Sequence, residues 1–200
     1  MRLPEDYETA GTLDFAKSRA TLLALNLAAL VLLILVVVLL LVFLAATRPD
    51  VGGSFELGGL DMLLALAVAM ALVALVVVAH EAIHGIGFWL VTRERPEYGF
   101  RGYYAYAGAP AWYIPIGQYL PIGLAPLVVI TLVGLGLFQV VPSEAIPAVF
   151  LVVAFNAAGA VGDIAAVAWL CVKPRDSLVR DTGSTILLYR RASTTSTEAR

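Results

Sequence analysis

Four long apolar stretches, separated by short polar or glycine-rich connectors, make up most of the sequence. Between Thr21 and Ala46 only Asn26 breaks the apolar run. At about 25 residues this run exceeds a signal-peptide core and is long enough to cross a bilayer as a helix. The second stretch runs from Asp61 to Thr92, the third from Gln118 to Val141 and the fourth from Ser143 to Val172. The pattern predicts an all-α integral membrane protein with four transmembrane helices. It divides the chain into an N-terminal segment (1–20), a four-span membrane domain (21–172) and a C-terminal tail (173–200).

Four spans return both termini to one side, and the basic residues indicate which side that is. Arg2, Lys17 and Arg19 precede the first span, Arg93, Arg95 and Arg101 follow the second, and Lys173, Arg175, Arg180, Arg190, Arg191 and Arg200 follow the fourth. Arg48 alone falls in the other compartment. The asymmetry predicts cytoplasmic termini and a cytoplasmic 93–115 loop, in a prokaryotic cytoplasmic membrane by default. A composition of 60% hydrophobic and 14% charged residues, with a mean hydropathy of +0.89, excludes an ordinary soluble domain. The net charge of −2 shows nothing like a nucleic-acid surface. The partners that remain are membrane lipid and whatever the membrane domain acts on; no oligomeric state can be read from the pattern.

The connectors differ in character. The segment 47–60, with Pro49, Gly52, Gly53, Gly58 and Gly59, is a simple link. The segment 96–113 mixes Tyr98, Phe100, Tyr103, Tyr104, Tyr106, Trp112 and Tyr113 with glycine. It reads either as an aromatic belt or as a β-hairpin at the interface that could pair with an extended chain. Pro115, Pro121 and Pro126 predict a kinked start to the third span, with freed carbonyls in need of partners. In the tail, residues 177–189 read as strand, Asp-Thr-Gly-Ser turn, strand. An aspartic-protease reading of that triplet fails for want of a second aspartate. The last nine residues are expected to lack order, and Cys171, the single cysteine, to be a small buried apolar residue that excludes disulfides and cysteine-based zinc clusters.

The chain's only two histidines fall in one string inside the second span, His80-Glu81-Ala82-Ile83-His84. This is the HExxH spacing, which on a helix puts both imidazoles on one face, one turn apart, with Glu81 free to act as a base toward water. Imidazole and carboxylate within a membrane span are expensive and call for a function. Two histidines leave a catalytic Zn²⁺ one protein ligand short. Glu144 and Asp61 lie at the far ends of their spans, whereas Asp163 shares a depth with His84: each is roughly 13–15 Å from the cytoplasmic end of its helix. Asp163 is therefore the candidate third ligand, against the alternative of a polar residue bonded to a neighbouring helix. Gly159 and Gly162 beside it predict close approach by another helix. Asn156, two turns earlier on nearly the same face, could bond substrate or a metal ligand, or simply pack between helices.

These residues resemble the family of small membrane proteins of unknown function described as putative zincin peptidases. The resemblance rests on His-Glu-Ala-Ile-His-Gly at 80–85, on Gln118-Tyr119-Leu120-Pro121-Ile122-Gly123-Leu124-Ala125-Pro126-Leu127, and on Asn156-Ala157-Ala158-Gly159-Ala160-Val161-Gly162-Asp163-Ile164. The arrangement is also similar to site-2-type intramembrane metalloproteases. That likeness implies His80, His84 and Asp163 as ligands, Glu81 as base, Asn156 as its assistant, and a peptide or transmembrane protein as substrate. The order Gly162-Asp163 reverses the Asp-Gly order of those proteases, and the proline of their Asn segment is absent. The competing expectation is a non-catalytic scaffold, metal carrier or transporter that uses the same ligands. Glu81 has no purpose in such a protein, and no internal repeat of the transporter kind is visible.

Overall fold

The computed structural model describes residues 2–15, 17–51, 58–100, 104–183 and 185–192. Strand β1 (Tyr7–Asp14) leads into helix α1 (Arg19–Thr47), which is followed by α2 (Gly59–Thr92). Strands β2 (Glu97–Phe100), β3 (Ala105–Gly108) and β4 (Ile114–Pro115) precede α3 (Ile116–Val140). A 3-10 turn at Ser143–Ala145 opens α4 (Ile146–Gly159), then come α5 (Val161–Cys171), β5 (Leu178–Asp181) and β6 (Thr185–Arg191). Helices α1, α2 and α3 are each long and apolar enough to cross a membrane, and the α4–α5 pair, bent by 42°, would make a fourth span.

The long helices turn most of their leucines and valines outward, as Leu23, Val31, Leu39, Leu63 and Val78 show. Such exposure is compatible with a lipid surrounding, where apolar surface carries no hydration cost. Two buried clusters hold the helices together. Leu40 and Leu44 of α1, Phe138 of α3, and Ile146, Val153 and Ala154 of α4 form one at the end of the bundle away from the sheet. Arg48 closes that end by donating to the carbonyls of Phe138 and Val141 and pairing with Asp50. The other cluster joins Phe88 of α2, Ile116, Tyr119 and Ile122 of α3 and Leu170 of α5 to Val179, Ile186 and Leu188 of the sheet.

That sheet extends the expectation of a helical bundle with short C-terminal strands. It has four antiparallel strands in the order β1-β6-β5-β4, so the N-terminal segment, the chain before α3 and the C-terminal tail are woven together at one end of the bundle. The tail hairpin matches the expected strand, turn, strand, with Gly183 at φ 82 in the turn. β1 was not expected: its residues Tyr7–Asp14 carry charges among few apolar positions, because only part of the strand faces the core. A second sheet, β2 paired antiparallel with β3, lies against α2, so Glu97–Phe100 and Ala105–Gly108 of the aromatic segment are strands; its residues 101–103 lie outside the described residues.

Other expectations change as well. A bend of 42° falls between α4 and α5 at Ala160, while α3 is continuous through Pro121 and Pro126. A Cβ added at Gly159 or Gly162 would meet nothing within 4 Å, so these glycines do not serve close helix approach. That role falls to Gly134, where a Cβ would overlap Val153. Cys171 is exposed and not buried. The expectations for 52–57 of the outer connector and for 193–200 of the tail lie outside the described residues.

Candidate metal centre

His80 and His84, one turn apart on α2, bring their rings to 4.9 Å between centroids. Asp163, in the first turn of α5, meets both: Oδ2 lies 2.9 Å from His80 Nε2 and Oδ1 lies 3.4 Å from His84 Nε2. The equal depths anticipated for His84 and Asp163 are thus realised as contact. The bend at Ala160 lets α5 aim its first turn at α2 while α4 stays packed along it.

What fixes the imidazoles is on their far sides. The Asn156 amide donates from Nδ2 to the Pro126 carbonyl at 3.3 Å, so its Oδ1 faces His80 and accepts from Nδ1–H at 2.9 Å. The Ile122 carbonyl, which can only accept, takes the His84 Nδ1–H at 3.0 Å. With Nδ1 of each ring committed as a donor, Nε2 is the nitrogen that each ring turns toward Asp163. The Ile122 carbonyl is available because residue 126 is proline: in a continuous helix the amide of residue 126 would bond the carbonyl of residue 122, and Pro126 has no N–H. The freed carbonyl expected in α3 has found its partner in a candidate ligand.

Two ring nitrogens and a carboxylate that converge in this way are bridged either by protons or by a shared cation. The three ligand atoms lie within 4.8 Å of one another. Ligands held about 2.0–2.2 Å from a tetrahedral zinc stand about 3.3–3.5 Å apart, so a small contraction would close them on an ion. The donor set of two histidines and one carboxylate, with the far nitrogens of both rings hydrogen-bonded, fits a divalent metal, and zinc above all.

Glu81 and His84 line a cavity of about 310 Å³ with Asp163, Tyr119 and Asp181. Gly159 and Gly162 lie in its wall, where the missing side chains leave space, and Asn26, the one polar residue in the interior of α1, lines it too. The β2–β3 hairpin covers one side through Tyr106 and Ala107. It can sit there because Gly85, next to His84, has no Cβ to strike the Tyr98 hydroxyl. Tyr106 likewise packs where a Cβ on Gly183 would be.

Sequence reasoning placed His80, His84 and Asp163 together, and Glu81 and Asn156 beside them. It missed Tyr119 and Asp181. The Tyr119 hydroxyl donates to Asp181 Oδ2, and Asp181 Oδ1 accepts from the Gly183 N–H at 2.7 Å. Burial holds the Asp181 carboxyl above the usual aspartate range, opposed by these two donors. The available signal was an Asp beside a turn glycine, which fits a turn just as well.

No curated protein and no solved structure matches the chain. The family model described as "Putative zincin peptidase" matches residues 73–178, which takes in α2 from ahead of His80 through Asp163 to the start of β5. That match spans more than half of the sequence and contains all three clustered ligands, and so the chain is a member of this family.

Proposed function

We propose that the protein is a zinc-dependent peptidase of the membrane that hydrolyses peptide bonds in membrane or membrane-associated proteins. One observation carries the reading: His80 and His84 are both held with Nε2 toward Asp163, and His84 and Asp163 line a cavity together with a further carboxylate, Glu81, which accepts from the Ala107 backbone N–H. Zinc held there would supply Lewis acidity toward a carbonyl and lower the pKa of water toward about 7. Glu81 takes a proton from the water that attacks the carbonyl carbon, then delivers it to the leaving amine as the C–N bond breaks. Asn156 and Ile122 hold the imidazoles in register throughout. The hairpin over Glu81 suits an extended substrate, since a strand can add its backbone hydrogen bonds to another strand.

Four spans, with the sheet and both termini in the cytoplasm of a prokaryotic cell, complete the reading; the bias of basic residues toward the segments that flank the spans on that side supports it. A substrate would reach the site from the bilayer or as a cytoplasmic tail. The test is Glu81→Gln, which keeps the shape of the side chain but cannot take up the proton. Purified in detergent, it is expected to hold as much zinc as the unaltered protein while cleaving no reconstituted membrane peptide. Equal zinc, with an unchanged membrane proteome in cells carrying either form, would replace the peptidase with a non-catalytic metal protein.

A further inference from the structure

Tyr119 is buried, lines the cavity with Glu81, His84 and Asp163, and stands one helical turn before Ile122, whose carbonyl orients His84. Its single hydroxyl proton is committed to Asp181. A phenol oxygen that has given up its proton to a hydrogen bond can still accept, and among the described residues no group donates to it. Asp181 is held in turn by the Gly183 N–H and has no basic partner among the described residues. Tyr119, Asp181 and Gly183 all line the cavity, and the phenol oxygen keeps an acceptor lone pair with no donor among the described residues; Asp181, to which it donates, lies beyond the end of the family match at 178.

An extended peptide is a ladder of N–H donors. It is the one ligand of a peptidase that must bring a backbone donor into such a cavity, and a buried donor left unbonded there would cost binding. We propose that Tyr119 is a substrate-contacting residue whose oxygen accepts a backbone N–H from the peptide held beside Glu81, and that Asp181 is a positioning residue acting through it. Asp181 keeps the phenol proton turned away from the peptide, so that Tyr119 meets the chain as an acceptor. The inference rests on the peptidase reading but is tested without turnover.

The experiment uses the full-length protein carrying Glu81→Gln, zinc-loaded, in detergent. Its probes are a fluorescent twelve-residue alanine–leucine peptide and the set of its singly N-methylated forms, with binding followed by anisotropy. One N-methylation is expected to weaken binding roughly tenfold, and Tyr119→Phe to weaken binding of the parent peptide by a similar factor. Combining the two is expected to cost no more than either alone, because both remove the same hydrogen bond. A merely structural Tyr119 would weaken every peptide alike, so losses that multiply, or a Tyr119→Phe protein that binds the parent undiminished, overturn the proposal. Should Tyr119→Phe fail to accumulate, Asp181→Asn is read instead: the N-methyl discrimination must fall at least threefold, and unchanged discrimination overturns the role of Asp181. Failure of every peptide to bind overturns the proposal outright. A protein that binds with this discrimination yet never cleaves once Glu81 is restored keeps the inference and removes the peptidase reading.

Discussion

An imidazole ligates a metal well only when its other nitrogen is occupied, and the two histidines here solve that problem in different ways. His80 uses a side chain, Asn156, from α4; His84 uses a main-chain carbonyl, Ile122, that a proline has released. Asn156→Leu is therefore expected to keep the fold yet weaken zinc binding by roughly 10–100-fold, the usual effect of removing the partner that orients a ligand. Zinc titration against a competing chelator measures it, and unchanged affinity would leave Asn156 a packing residue. Asp163→Ala is expected to lower zinc stoichiometry as far as His84→Ala does, because either change leaves two protein ligands. Full occupancy in the Asp163 variant would send the search to another carboxylate. These residues were legible because each is costly in a membrane span, and cost singles out function. Tyr119 and Asp181 were not, since a tyrosine near a membrane surface and an aspartate in a turn are common for unrelated reasons.

At the scale of elements, α3 shows how a helix-breaking residue becomes useful without breaking the helix. Pro126 costs α3 a hydrogen bond, but the released Ile122 carbonyl gains the His84 N–H and the Pro126 carbonyl gains the Asn156 amide. Pro126→Ala would return an N–H to compete for the Ile122 carbonyl. The helix itself is expected to become more stable and the metal site weaker, a combination that destabilising substitutions do not give. Thermal melting of the apo protein beside zinc affinity would check it; a rise or fall in both together would refute this account. The sequence revealed that freed carbonyls would exist but not where their partners lay, because those partners come from α2 and α4, far along the chain. Nor could it place the bend at the Gly159–Ala160 junction, where no proline marks it. The span boundaries, by contrast, agree with the helices to within a few residues, since a bilayer imposes a length that composition alone reveals.

The molecule as a whole joins a lipid-facing bundle to a water-facing sheet, and the site lies toward the end where they meet. β1, β4, β5 and β6 draw the N-terminus, the approach to α3 and the tail onto one face, while Arg48, Asp50 and Ser143 close the opposite end. β1 escaped notice because a strand that pairs with residues some 170 positions away leaves no local periodic signal. If the bent α4–α5 pair is a fourth span, as proposed, both termini and the 93–115 segment share a compartment, and the α1–α2 and α3–α4 connections share the other. On that proposal the basic residues make the first compartment the cytoplasm. Ser177 would be a poor reporter, being fully buried beneath the sheet, but Asp176 and Glu144 are exposed at opposite ends. With Cys171→Ser as background, Glu144→Cys is expected to react with an impermeant thiol reagent on intact cells, and Asp176→Cys only after the membrane is opened. Reaction at 176 but not at 144 would invert the protein. Reaction at both on intact cells would separate the two ends of α4–α5 from opposite compartments, leaving that bent pair a re-entrant hairpin and the bundle three spans deep.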